Sequence, residues 1–148
     1  PRAQPYTVDE VMAAVGALHT AIEVPDSRYD DFVKVGGAQI IADNACAHRF
    51  VLGPATTCDW RAIKLSEHPV HAEVVGKFKR EGVGRNVLGG PDIALTWLAN
   101  ELSALGIGLR MGQVITTGTC MQPVEITPGD HLRVDYGPIG RVEAVFTA

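Results

Sequence analysis

Apolar residues recur at helical spacing in two places along the chain. Val8, Met12, Val15 and Leu18 follow one another three or four apart, which lines them up on one helical face and predicts a helix over about 8–20. Thr7-Val8-Asp9-Glu10 supplies a capping box at its start, with the Thr7 hydroxyl and the Glu10 carboxylate each able to satisfy a free backbone amide. Ile93, Leu95, Leu98, Leu102 and Leu105 give the second pattern, opened by Pro91 and stopped by Gly106. Elsewhere the pattern is short, β-branched and cut by glycine. Ala21–Val24 reads as extended, since Pro25 bars helix continuation. Gln39–Asp43, Arg49–Leu52 and Val70–Val75 read as strands, and Val70–Leu88 as a whole reads as a hairpin or meander whose charged Lys77, Lys79, Arg80 and Glu81 mark its turn. Gly112–Thr117, His131–Tyr136 and Arg141–Phe146 complete a meander around the Pro128-Gly129-Asp130 turn. Helix, strands, helix, strands, with connections too short for repeated βαβ crossovers, predicts an α+β, mainly β fold with two packed helices.

A length of 148 residues fits a single domain with a buried core. The net charge of −4, with its lysines and arginines scattered, offers no basic patch for a nucleic-acid partner. No apolar run approaches the ~20 residues that a membrane helix needs. The three cysteines form no CxxC pair, which points to a reducing, cytoplasmic compartment. The chain opens at Pro1 with no apolar or basic leader.

Candidate chemistry is concentrated in Glu23-Val24-Pro25-Asp26-Ser27-Arg28, with Asp30 and Asp31 close behind. A carboxylate on rigid extended backbone, beside further carboxylates and an arginine, suits an oxygen-ligated divalent cation. A solvated turn with internal ion pairs accounts for the same residues. Thr116-Thr117-Gly118-Thr119 exposes hydroxyls and amides at the end of an expected strand, and glycine there permits close approach of a ligand carboxylate; a strand end with a β-bulge is the plainer reading. His68 and His71 fall on opposite faces of an extended segment and cannot easily share a metal. His19, His48 and His131 stand alone. Cys120 has no nameable base to activate it. GxSxG, HExxH and P-loop patterns do not occur, and Gly82-Val83-Gly84 lacks the third glycine of a dinucleotide site.

Taken in order, several segments carry a resemblance. Val114-Ile115-Thr116-Thr117-Gly118-Thr119, Pro128-Gly129-Asp130 and Gly140-Arg141-Val142 resemble the end of a fumarylacetoacetate hydrolase-type domain. Ala21-Ile22-Glu23-Val24-Pro25-Asp26-Ser27-Arg28, Ile41-Ala42-Asp43-Asn44 and Trp97-Leu98-Ala99-Asn100 resemble its 2-keto-4-pentenoate hydratase and 4-oxalocrotonate decarboxylase branch. The resemblance implies a mixed β-sandwich roll and a Mg2+ or Mn2+ site built from three acidic residues. Glu23 corresponds to one of them. The other two form an acidic-x-acidic pair expected before the Thr7 helix, where these residues hold none, so an N-terminally incomplete catalytic domain over 1–148 is expected.

The resemblance further implies a lyase that hydrates a 2-hydroxy-2,4-dienoate in aromatic-compound breakdown, or decarboxylates an oxalocrotonate-like diacid in the same type of site. Thr117 and Gly118 become candidates for holding the carboxylate of a small 2-keto acid, and Asn44 for a polar contact. Asp26 and Arg28 become a supporting salt-bridged turn, with the general base upstream. A homo-oligomer is implied, with no membrane or nucleic-acid partner. A non-catalytic fragment or assembly subunit is the reading from another class.

Overall fold

The computed structural model of the chain describes residues 1–147. Three α-helices, α1 (Val8–Ala13), α2 (Gly37–Ala42) and α3 (Pro91–Ala104), accompany six strands. These are β1 (His19–Pro25), β2 (Ala47–Ala55), β3 (Pro69–Val74), β4 (Phe78–Val83), β5 (His131–Asp135) and β6 (Arg141–Val145). They form a two-stranded β1-β2 ribbon and a four-stranded sheet ordered β4-β3-β5-β6, every described ladder antiparallel. The mainly β architecture expected from the sequence is borne out. No helix among the described residues is long and apolar enough to cross a membrane.

The four-stranded sheet shows the strand period cleanly. Val70, Ala72 and Val74 on β3, Leu132 and Val134 on β5, and Val142 on β6 are buried on one face and join Ile22 of β1 in the core. Each such valine or leucine withdrawn from water contributes roughly 1.5–3 kcal/mol. The opposite face is ionic, and the register sets the charges in rows across the strands. Lys79, Glu73, Arg133 and Glu143 occupy one row of alternating sign; Glu81, His71, Asp135 and Arg141 occupy the next. These solvent-exposed pairs act mainly by keeping the face wet and the register unique, since each is worth about 0–1 kcal/mol.

The ribbon packs on the same core through Ile22, Val24 and Val51. Its close approach depends on Gly53, where a Cβ would lie 2.5 Å from the Thr20 hydroxyl. α1 packs against α3, and the chain before α1 is fastened there by Asn100, whose amide accepts from the Tyr6 N–H (2.7 Å) and donates to the Tyr6 carbonyl (3.0 Å). α3 ends in a Schellman motif: Gly106 (φ +75) lets Ile107 N–H reach the Leu102 carbonyl and Gly106 N–H the Ser103 carbonyl.

Four local expectations are corrected. The capping box at Thr7 forms, but α1 stops at Ala13 and β1 begins at His19; Gly16 and the pull of Thr20 and Ile22 into the core override the apolar spacing of Val15 and Leu18. Gln39–Asp43 is not a strand but lies mostly in α2, since its residues find no ladder partner. Gly112–Thr117 belongs to no ladder either. The β3-β4 turn sits at Gly76 (φ +76), and Lys79, Arg80 and Glu81 lie on β4 instead.

Candidate functional site

Glu23 lies near the middle of β1, paired with Phe50, with Ala21 paired to Leu52 on the same face. Strand alternation sends Ile22 and Val24 into the core and turns Glu23 outward. Its carboxylate makes no hydrogen bond or ion pair among the described residues, and its strand neighbours Phe50 and Leu52 are both 42 % exposed. A carboxylate on a ladder-fixed backbone, without a cationic partner among the described residues, has the chemistry of a hard-oxygen donor.

Tyr136 secures this strand. Its hydroxyl donates to the Ala21 carbonyl at 2.8 Å, two residues before Glu23. Burial, with a smaller effect of Cys120 alongside, pushes the phenol up to about 12, so the hydroxyl stays a donor. The sequence offered no signal for this role beyond a tyrosine at a strand end.

The acidic turn after β1 is organised differently from the expected Asp26–Arg28 pair. Arg28 Nε donates to Asp43, whose carboxylate is almost fully buried, while Asp26 only accepts from the adjacent Ser27 N–H at 2.9 Å. Asp43 also accepts from the Ser27 hydroxyl (2.7 Å) and the Arg28 N–H (3.2 Å). The Ser27 hydrogen bond first, then Arg28, holds this carboxyl below the usual aspartate range. Asp43 was missed as a structural residue because side-chain pairing across a turn leaves no periodic trace. Directly after it, Asn44 (φ +54), Ala45 (φ +53) and Cys46 (φ +61) run left-handed. For residues bearing a Cβ this costs roughly 1–2 kcal/mol apiece. Asn44 is exposed at the start of this run and makes no side-chain hydrogen bond among the described residues.

Thr117 is half-buried and free of side-chain hydrogen bonds among the described residues. Gly118 adopts φ +118 with its Cβ position 3.3 Å from Val87, so the turn there needs glycine. Thr119 is used internally, donating to the Met121 carbonyl at 2.9 Å. No hydrogen bond among the described residues joins Glu23, Asn44, Thr117 or Gly118 to one another. A cleft of about 530 Å³ between α1, residues 60–66 and the start of α3 is lined by Met12, Trp60, Lys64 and Asp92, and by none of those four.

Three of the five histidines are occupied separately. His19 Nδ1 bonds the Gly53 carbonyl, His68 Nε2 donates to the Tyr136 carbonyl, and His131 meets Glu143. Burial raises the Cys120 thiol, which argues against a nucleophile. Among the described residues no three His, Cys, Asp or Glu side chains converge as a metal site. Glu23 thus fits a hard cation as one oxygen ligand and does not by itself complete a coordination shell.

Known proteins match this arrangement across nearly its whole length. The chain is 34% identical over 139 residues to 4-oxalocrotonate decarboxylase of Pseudomonas putida, covering 94% of the chain and 52% of that protein. It is 33% identical over 140 residues to 2-keto-4-pentenoate hydratase of Paraburkholderia xenovorans (strain LB400), covering 95% and 51%. Among solved structures, 4-oxalocrotonate decarboxylase from Pseudomonas putida G7, complexed with magnesium and adipate, superposes with a TM-score of 0.83 at 34% identity, over 94% of this chain and 52% of that one. The chain spans about half the length of the curated relatives it matches. The branch implied by the Glu23–Arg28 and Trp97–Asn100 segments is the one these relatives represent. Matched over residues 2–147 by the model of that family, the chain belongs to the fumarylacetoacetate (FAA) hydrolase C-terminal family.

Proposed function

We propose that residues 1–148 form part of the catalytic domain of a lyase that hydrates a 2-hydroxy-2,4-dienoate with the help of Mg2+ or Mn2+. The observation that carries this reading is Glu23, an outward carboxylate without a partner among the described residues, on a strand fixed by the Phe50 ladder and the Tyr136 hydroxyl. In this scheme Glu23 contributes one oxygen ligand, and the remaining ligands come from residues outside those assigned here. A cation bound there supplies Lewis-acid stabilisation of the charge that develops on a 2-oxo acid. The Thr117 hydroxyl and the Gly118 amide donate to the substrate carboxylate, and the Asn44 amide makes a polar contact. The general base is not among these residues. The exposed Phe50 and Leu52 beside Glu23 fit a site, or a neighbouring protomer of a homo-oligomer, that covers this face.

Decarboxylation of an oxalocrotonate-like diacid is the second reading. It is favoured by the relative of 0.83 TM-score, whose structure holds adipate, itself a dicarboxylate. A non-catalytic assembly role is the reading from another class.

The test is Mg2+-dependent loss of the dienoate chromophore by the full-length protein, with carbon dioxide release from the diacid measured in parallel. Glu23→Gln is expected to lower kcat/KM by at least about a hundredfold and to weaken Mg2+ activation, as removal of a metal ligand does. Full activity in Glu23→Gln sinks the assignment, and a full-length wild type inactive on both substrates sinks the lyase reading.

A further inference from the structure

Two unusual features coincide just beyond the strand that carries Glu23. One is a nearly inaccessible carboxylate, Asp43, at 2 % side-chain exposure. Its donors all come from two successive residues: the Ser27 hydroxyl, the Arg28 amide and Arg28 Nε. Arg28 itself remains 75 % exposed, so burial of its own stem does not explain where it points. The other feature is the run of three left-handed residues that follows Asp43 at once. Asparagine tolerates that conformation; Ala45 and Cys46, each bearing a Cβ, adopt it only where the surroundings over-determine it.

The surroundings do so from both ends. Cys46 N–H donates to the Asp43 carbonyl at 3.1 Å, and Asp26 N–H donates to the Cys46 carbonyl at 2.9 Å. Pro25 then pairs with Ala47 across an irregularity in the ribbon. The side-chain clasp and the backbone bonds therefore close one small loop, with residues 26–28 on one side and 43–46 on the other. A buried carboxylate clasped by a largely exposed arginine, directly before a strained turn, is placed to hold that turn in its conformation.

We propose that the Ser27–Arg28–Asp43 clasp is a positioning device that holds residues 44–46 left-handed and so sets the Asn44 amide beside the end of the Glu23 strand, where it contacts the 2-oxo acid substrate. Asp43 is a positioning residue, acting through Asn44. The inference rests on the lyase reading given above for the substrate, whereas the held turn is a property of the fold alone.

The test uses the full-length protein with Mg2+ and the dienoate, comparing wild type, Asp43→Asn and the double variant Asp43→Asn/Ala45→Gly. Asparagine keeps the shape of the side chain but removes the charge that holds the guanidinium. Asp43→Asn is expected to raise KM about tenfold or more while kcat changes by less than about threefold, the pattern of a lost binding contact. The Mg2+ activation constant stays within about twofold, because Glu23 is held by its own ladder and not by the clasp. Glycine enters the left-handed region freely, so Ala45→Gly restores at least about half of the lost affinity in the Asp43→Asn background.

Hydrogen exchange supplies the readout that does not need activity: amides of residues 44–47 exchange faster in Asp43→Asn, while β3 and β5 keep wild-type protection. An unchanged KM together with unchanged exchange at 44–47 overturns the proposal. Acceleration spread over β3 and β5 that Ala45→Gly fails to repair overturns it as well, by making Asp43 a general stability residue. If wild type turns over neither substrate, the lyase reading fails, and the exchange pattern still decides whether the clasp holds the turn.

Discussion

Replacing Tyr136 with phenylalanine isolates one hydroxyl and tests how the strand that carries Glu23 is tethered. The ring stays in the core, where Tyr136 packs against the sheet cluster, and only the 2.8 Å bond to the Ala21 carbonyl is lost. A neutral hydrogen bond contributes about 0.5–1.5 kcal/mol net, and a half-buried carbonyl left without its donor adds to the loss, so about 1–2 kcal/mol is expected near neutral pH. With a urea m-value of about 2 kcal/mol/M, the midpoint of unfolding falls by roughly 0.5–1 M. The sign of the pH dependence follows from the phenol. Folded Tyr136 ionises at about 12, above its ordinary value of 10.0, because burial disfavours the phenolate. Below pH 10 both states are protonated and the full contribution is present. Between about pH 10 and 12 the unfolded chain ionises first, and wild type loses up to about 2.7 kcal/mol across the two units. Tyr136→Phe has no such proton to lose, so its deficit relative to wild type shrinks across that window and can invert. Urea titrations of both proteins at intervals from pH 8 to 12 measure it. A deficit that stays constant over the whole range, or no deficit at pH 8, refutes the buried, donating hydroxyl.

Two further outcomes follow from close contacts and from an ion pair. Gly84→Ala places a Cβ 1.8 Å from the Leu65 carbonyl oxygen, which is backbone and cannot rotate aside. A loss of about 3 kcal/mol or more in thermal or urea unfolding is expected, while Gly16→Ala, with nothing within 4 Å of its Cβ position, stays within about 1 kcal/mol of wild type. Asp130 is held below the usual aspartate range by Lys77 first and then by the Thr127 amide. Its contribution is present above the unfolded aspartate value near 4 and is lost as pH falls through the lower folded value. Asp130→Asn therefore flattens the acid limb of the stability–pH curve below about pH 4, and an unchanged limb excludes the pairing.

What the sequence made legible follows from how locally each feature is determined. The Thr7–Glu10 capping box, the Pro91 start and Gly106 stop of α3, and the Val70-Ala72-Val74 alternation depend on residues within a turn or two, and all three form. Gln39–Asp43 misled because a short apolar run fits helix and strand equally, and only a ladder partner could have decided it. The helix expected to reach residue 20 failed for a related reason. Thr20 and Ile22 are buried, and Ala21 and Ile22 pair with Leu52 and Val51 of β2, a tertiary demand that local spacing at Val15 and Leu18 does not record. Gly112–Thr117 has strand composition without a strand, since β-propensity mostly expresses packing against neighbours that this segment lacks here.

The same distinction separates the parts of the candidate site. Glu23 could be singled out because it stands on a short extended segment fixed by Pro25, within an acidic cluster and a segment that resembles the family. Asp43 could not, because its role depends on Ser27 and Arg28 returning to it across a turn whose backbone is left-handed for three residues. A sequence pattern expresses which face a residue takes, but not which distant donor will fold back on it. That asymmetry gives the two carboxylates opposite characters. Glu23 has its position fixed and its oxygens free, as a ligand for a cation must. Asp43 accepts from three donors and is shielded from solvent, as a support must. An acidic cluster that reads as one feature in the sequence thus divides into a carboxylate left open for chemistry and a carboxylate spent on geometry, and only substitution at each separately distinguishes their effects on kcat, KM and Mg2+ activation.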